Sequence, residues 1–119
     1  MASETEIQQQ IRLACSNGNA RLWRNNSGKL PDPRTGRVVQ FGVGSPGGSD
    51  LIGYRTVMPV CPACGHQHDE VAQFAAIEVK TATGRATAQQ KQFLQHIKNA
   101  GGLSGIARSV EEAQKLLLS

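Results

Sequence analysis

The chain predicts an α/β (α+β) fold, a mixed sheet flanked by helices in the order αβββαβα. Three observations carry this expectation. Apolar residues recur at helical spacing near both ends, apolar or alternating stretches suited to strands lie between, and helix-capping sequences stand at the junctions. At 119 residues with 39% hydrophobic side chains, the chain is sized for a single domain, residues 1–119, around one modest core.

Ser3 is placed to cap a first helix from about Glu4 to Cys15, with Glu4, Ile7, Ile11 and Ala14 at helical spacing before the Asn17-Gly18 break. Cys15 lies in that apolar stretch and reads as a core residue. Ala20 to Asn25 predicts a short strand, in which Trp23 reads as core rather than as a platform for stacking bases. The segment NNSGKLPDPRTGR that follows is turn-rich and basic, and predicts an exposed, mobile loop. Val38 to Val43 is a further extended piece leading into the glycine-rich GVGSPGGSD. Asp50 to about Val60, and QFAAIEVKT ending near Lys80, predict two strands that pair with each other. Thr87-Ala88-Gln89-Gln90 has the capping-box pattern and opens a helix with Phe93, Leu94 and Ile97 as its buried stripe, ended by Gly101-Gly102. Leu103 to Arg108 predicts a last short strand, and Ser109-Val110-Glu111-Glu112 opens a final helix through Leu118.

Thirteen Lys and Arg against nine Asp and Glu give a net charge of +4, which suits a polyanionic partner without demanding one. The distribution says more. Six basic residues (Arg12, Arg21, Arg24, Lys29, Arg34, Arg37) and one acid, Asp32, lie between Ile7 and Ser49, so this half is suited to track a phosphate backbone. No stretch approaches the roughly 20 apolar residues of a membrane span. MASETEIQQQ begins polar and acidic, unlike a signal peptide. The expectation is a cytoplasmic protein without a membrane partner. Three cysteines, Cys15, Cys61 and Cys64, are an odd number in such a chain, and no disulfide framework is expected.

The candidate chemistry lies in Ala76-Ile77-Glu78-Val79-Lys80. A period of two sets Ile77 and Val79 on one face of the strand and Glu78 and Lys80 on the other. Most Glu-x-Lys sequences are exposed strand pairs. Here the motif follows an apolar run, and Pro46-Gly47-Gly48-Ser49 delivers Asp50 to the start of the neighbouring strand. If the two strands form a hairpin, Asp50 and Glu78 converge on one hard cation, Mg2+ or Mn2+, with the Val79 carbonyl as a further oxygen ligand. Lys80 then stands where it can orient or help deprotonate an attacking water and offset charge on a phosphorane. The reaction implied is phosphodiester hydrolysis.

SETEIQ, WRNNSG, GSPGGSDLIG, AAIEVKT, TAQQKQFL and GGLSGIARSVEEA, in this order and over nearly the whole chain, resemble the VRR-NUC family of PD-(D/E)XK nucleases, in their stand-alone form from bacteriophages and prophages. The resemblance implies a restriction-endonuclease-like fold, magnesium or manganese dependence, and cleavage of branched DNA of the Holliday-junction kind by a homodimer in the cytoplasm of a bacterial or phage-infected cell. It assigns Asp50, Glu78 and Lys80 to the motif and calls for an acid on the first helix. Glu4 fits, because it shares the face of Ile7 and Ile11, whereas Glu6 is turned away from that face and has a capping box with Ser3 to complete. Gln90 matches the family's glutamine after the lysine, and it is equally the last member of a capping box; both readings stand. Arg24, Asn25 and Asn26 match a family segment near the active site and are candidate phosphate contacts, with a solvated strand end as the other reading. The motif's proline is Ser49 here, with Pro46 upstream, which puts the turn geometry in question more than the chemistry.

Between the two central strands lies Cys61-Pro62-Ala63-Cys64-Gly65-His66-Gln67-His68. CPxCG has the shape of a zinc knuckle, and His66 and His68 are the nearby candidates to complete a structural zinc site, unless a second subunit closes it. The other reading is a metal-free turn with two thiols. Two further functions stay in view: a non-catalytic DNA-binding or assembly module built on the basic half and the knuckle, and a nuclease directed to flaps or strand ends.

Overall fold

Order in this chain is built outward from one strand that is covered on both faces. The structure, a computed structural model, describes residues 2–119. Its elements are α1 (Glu4–Cys15), β1 (Ala20–Arg24), β2 (Gly28–Pro31), β3 (Val38–Phe41), β4 (Leu51–Val57), β5 (Val71–Val79), α2 (Ala88–Asn99), β6 (Leu103–Ala107) and α3 (Val110–Leu118). The main sheet has the order β1-β4-β5-β6. β4 runs antiparallel to both β1 and β5, and β6 lies parallel to β5. A parallel neighbour requires a crossover, which α2 supplies. The mixed sheet flanked by helices is the fold class expected from the sequence.

On one face, Ile7, Ile11 and Cys15 of α1 and Ala113 of α3 close over Leu22, Leu51, Ala75, Ile77, Val79 and Ala107. On the other face lies α2. Ala76 pairs with Ser104 across β5 and β6, and the Ser104 hydroxyl donates to the Leu94 carbonyl at 2.6 Å. The run Ala75 to Lys80 is therefore buried without a break, as strands between two helical layers are. Helix starts follow the capping residues. Ser3, Thr87 and Ser109 each accept a backbone N–H from the third residue on, satisfying a donor that the first turn leaves free. Only Thr87 completes the reciprocal box among the described residues. Within α2, Leu94 alone is buried. Phe93 packs instead against the glycine loop, where a Cβ on Gly44 would lie 2.3 Å from its ring.

Two expectations need correction. The segment after Asn25 is not a loop throughout: Gly28–Pro31 pairs with Val38–Phe41 in a separate two-stranded ribbon, so the order is αβββββαβα. Its turn is held by Asp32, whose carboxylate accepts the Arg34 N–H at 2.9 Å and whose N–H donates to the Arg37 carbonyl at 2.7 Å. Lys29 and Leu30 pair with Gln40 and Val39, and every residue of both strands except half-buried Gly28 is exposed. Nor is Trp23 core. It is 50% exposed, and Leu22 takes the inward position on β1. Alternation then turns Arg21 and Trp23 outward together, where the Trp23 ring lies 5.9 Å from that of Tyr54 and 6.0 Å from the Arg21 guanidinium. Among the described residues, no helix is long and apolar enough to cross a membrane.

Candidate metal centre

The candidate site is the row of residues just beyond the paired end of the sheet. Leu51 pairs with Arg24 on one side and Ile77 on the other, so one step further sets Asp50 between Asn25 and Glu78. The Asn25 N–H donates to the Asp50 carbonyl at 2.8 Å, which extends the β1–β4 ladder into this row. The Val79 N–H donates to Asp50 Oδ2 at 2.9 Å. The sequence offered Val79 as a carbonyl ligand; its amide is what aims the aspartate. Glu4, half-buried at the start of α1, completes the group: carboxylate oxygens of Glu4, Asp50 and Glu78 lie within 4.8 Å of one another. Glu6 is exposed and contributes only its N–H to the Ser3 cap.

Glu78 is 1% exposed. Its Oε1 lies 3.7 Å from the Lys80 ammonium and accepts a long hydrogen bond of 3.4 Å from Gln90 Nε2. Its Oε2 is buried and meets no N–H donor. Burial first, then a hydrogen bond shared with the Asp50 carboxyl and the charge on Asp50, push the Glu78 pKa up to about 9; Glu4 adds to the rise and Lys80 opposes it. A buried carboxyl with a free oxygen beside two more acids holds either a proton or a cation. Three carboxylates and no nitrogen or sulfur donor make a set that fits magnesium or manganese. Lys80, 8% exposed, is not the solvated partner that most Glu-x-Lys pairs contain.

Both readings of Gln90 meet in one side chain. Its Oε1 accepts the Thr87 N–H at 2.8 Å, completing the capping box, while its Nε2 faces Glu78. Helix-end geometry thus fixes the amide that faces the acid.

Asn25 requires a correction. It is 9% exposed, and its side chain is fully committed within the protein. Nδ2 donates to the carbonyls of Val43 and Ser49, and Oδ1 accepts the Val43 N–H, at 2.9, 2.9 and 3.0 Å. It clamps the glycine loop that delivers Asp50, and no donor is left for a phosphate. Gly48 is tied into the same clamp: a Cβ there would lie 1.9 Å from the Val43 carbonyl oxygen. Ser49, where the motif has proline, is buried and donates its hydroxyl to the Leu51 carbonyl at 2.9 Å. Arg24 and Asn26 are exposed. Arg24 lines a groove with Arg12, Gln8, Gln9, Thr5 and Leu51, next in sequence to Glu4 and Asp50.

The clamp on Asn25, the place of Arg12 and the role of Arg108 were not read from the sequence. Arg108 donates to the carbonyls of Thr81 and Gly84, each at 2.6 Å, pinning the loop that leaves Lys80. Strand pairing could have flagged Asn25, because it stands opposite Asp50 once the β1–β4 register is known. No local signal marks Arg108.

The cysteine and histidine segment lies elsewhere, at the turn joining β4 to β5. The backbone N–H of Cys64, then that of Ala63 and the Cys64 thiol, face the Cys61 sulfur and hold its pKa below the ordinary thiol value. Among the described residues, only Glu4, Asp50 and Glu78 bring three ligand atoms within 4.8 Å, so Cys61, Cys64, His66 and His68 are not gathered to that degree. Comparison with family models, with curated proteins and with solved structures returned no match, and the likeness to VRR-NUC nucleases rests on the residues quoted above.

Proposed function

We propose that this chain is a Mg2+- or Mn2+-dependent DNA endonuclease of the VRR-NUC kind, hydrolysing phosphodiesters in branched DNA. The observation that carries the reading is the buried Glu78 carboxyl, with one oxygen that meets no N–H donor and with Asp50 and Glu4 beside it. An exposed acidic patch would need no explanation; a buried acid facing two others has one in a divalent cation.

In this reading Glu4, Asp50 and Glu78 hold the cation. When bound, it polarises the phosphate and lowers the pKa of a water ligand. The chain's own residues do the rest. The Val79 N–H and the Asn25 clamp keep Asp50 at the strand end, and Gln90 steadies Glu78. Lys80 reaches the same place from the same strand face, positioned to hold the attacking water and to offset charge growing on the phosphate oxygens. Arg12 and Arg24 offer guanidinium donors to the flanking backbone. A homodimer would present two such centres to a branched duplex, as two-fold symmetry suits a two-fold junction. The cytoplasm of a bacterial or phage-infected cell is the compartment that goes with this reading.

The test is incubation with labelled four-way junction, flap and linear duplex DNA under magnesium, manganese or chelator, beside Lys80→Ala. Junction cleavage that needs both metal and Lys80 supports the proposal. Cleavage of flaps alone moves the substrate class to strand ends. Binding of all three DNAs without cleavage under either metal overturns the catalytic reading in favour of a DNA-binding module.

A further inference from the structure

The segment between Val57 and Val71 is held by a few backbone hydrogen bonds of its own and by no core. It is a 13-residue connection between two strands that pair in register up to their ends, where a short turn would suffice. Outside Cys61 all of its residues are exposed, so burial does not hold it. A single bridge, Val60 to Gln67, is its only ladder pairing. Ordering a backbone costs about 1–2 kcal/mol per residue, and a connection of this length without a core calls for another source of order.

What the segment does have is convergence. The Cys61 N–H donates to the His66 carbonyl and the His68 N–H to the Pro59 carbonyl, both at 2.8 Å, which places Cys61 directly across from His66. Residues opposite each other share a face, and so do residues two apart on one strand. Cys61, His66 and His68 therefore project from the same side of the hairpin. The Gly65 N–H returns to the Cys61 carbonyl at 2.8 Å, with Gly65 at φ +74°, and this tight turn brings the Cys64 thiol against the Cys61 sulfur. The two imidazoles stand with ring centroids 4.9 Å apart and planes at 87°. Two rings bound to one tetrahedral zinc through Zn–N bonds of about 2.1 Å have centroids about 5 Å apart. The histidine pair stands near that separation, with its rings edge to face.

We infer that Cys61, Cys64, His66 and His68 form a mononuclear tetrahedral zinc site that staples the β4–β5 hairpin. Two thiolates and two imidazoles are a donor set that zinc takes in closed, structural sites, distinct from the all-oxygen acid centre. Drawing the four ligand atoms together takes side-chain rotations, which the exposure of Cys64, His66 and His68 leaves free. The site lies at the far end of β4 and β5 from Asp50 and Glu78. Seven residues of β4 at about 3.3 Å each put the two centres more than about 20 Å apart, so the zinc orders the hairpin and takes no part in chemistry at the acids. The inference stands apart from the proposed nuclease activity.

The experiment is elemental analysis of the full chain purified without added chelator, followed by titration of the metal-free, reduced protein with cobalt(II). One zinc per chain is expected, and a thiolate-to-cobalt charge-transfer band with tetrahedral d–d intensity that saturates at one equivalent. Cys61→Ser/Cys64→Ser should lose both, His66→Ala/His68→Ala should lose the tetrahedral intensity, and Glu78→Gln should keep everything. Protease cleavage within residues 58–70 should rise at least tenfold after zinc removal. No cobalt band in the wild-type protein, a band undiminished without both histidines, or zinc lost from Glu78→Gln but kept without the cysteines would each overturn the site. So would a mass two hydrogens short with no zinc bound, which identifies a Cys61–Cys64 disulfide instead.

Discussion

Magnesium added to the metal-free protein at neutral pH should expel a proton, and the size of the effect follows from one carboxyl. Glu78 titrates near 9 when no cation is present, raised by burial and by Asp50. At pH 7 it is protonated, and a cation must displace that proton before using both oxygens. Two pH units below the pKa weaken binding by about a hundredfold. The dissociation constant for magnesium should therefore fall about tenfold per pH unit from pH 6 to 9 and level off above. Calorimetry at pH 7 in buffers of different ionisation enthalpy should report about one proton released per magnesium. Stability follows the same linkage with a fixed sign. The folded pKa lies above the ordinary value of 4.5, so this contribution is fully present below pH 4.5 and is lost as pH rises toward 9, at about 1.4 kcal/mol per unit. Saturating magnesium should remove that slope, and Glu78→Gln should remove it in the metal-free protein. Proton release near zero together with a dissociation constant that is flat from pH 6 to 8 would refute the argument, because the buried acid would then be ionised without a cation.

The other predictions are more local. Lys80→Ala should lower DNA cleavage by about 10²–10³, the usual cost of losing one charged transition-state contact, while magnesium binding followed by calorimetry persists. Asn25→Ala removes three side-chain hydrogen bonds, and at about 1 kcal/mol each should cost about 3 kcal/mol in denaturant unfolding; a phosphate-contacting residue would instead leave stability alone and change the salt dependence of DNA binding. Gly48→Ala should destabilise by more than 2 kcal/mol in the same assay, since the added methyl meets the Val43 carbonyl. Trp23→Ala should cost under about 1 kcal/mol in thermal unfolding, against about 3–5 for a buried tryptophan. Trp23 is the only tryptophan, so its emission should be red-shifted and readily quenched by iodide.

What could be read from the sequence was what depends on local period and local chemistry. Helix ends showed in Ser3, Thr87 and Ser109, because a cap acts within three residues. Glu78 and Lys80 share a face by alternation alone, and Glu4 could be separated from Glu6 by helical phase against Ile7 and Ile11. What escaped depends on partners distant in sequence. Asn25 has the composition of a phosphate contact and the environment of a loop clamp, and only Val43 and Ser49, brought in from 18 and 24 residues away, decide between them. Trp23 was misread because either parity of β1 could have faced the core until Leu22 took that position. The β2–β3 ribbon was hidden by its prolines and glycines, which read as turn while also permitting an exposed two-stranded arm. Glu78 meets Gln90 of α2, a helix whose place on that face the strand pattern does not encode.

The three acids come from positions 4, 50 and 78, and each is aimed by a different element: α1, the clamped loop before β4, and β5. No contiguous piece of the chain owns the centre. During synthesis, Glu4 leaves the ribosome before Asp50 and Glu78 and stays idle until β5 has emerged and slotted in beside β4. If the centre takes a divalent cation as proposed, competence to capture it would arrive late and all at once, and a chain cut short before residue 78 should fail to bind the metal however well its first helix forms.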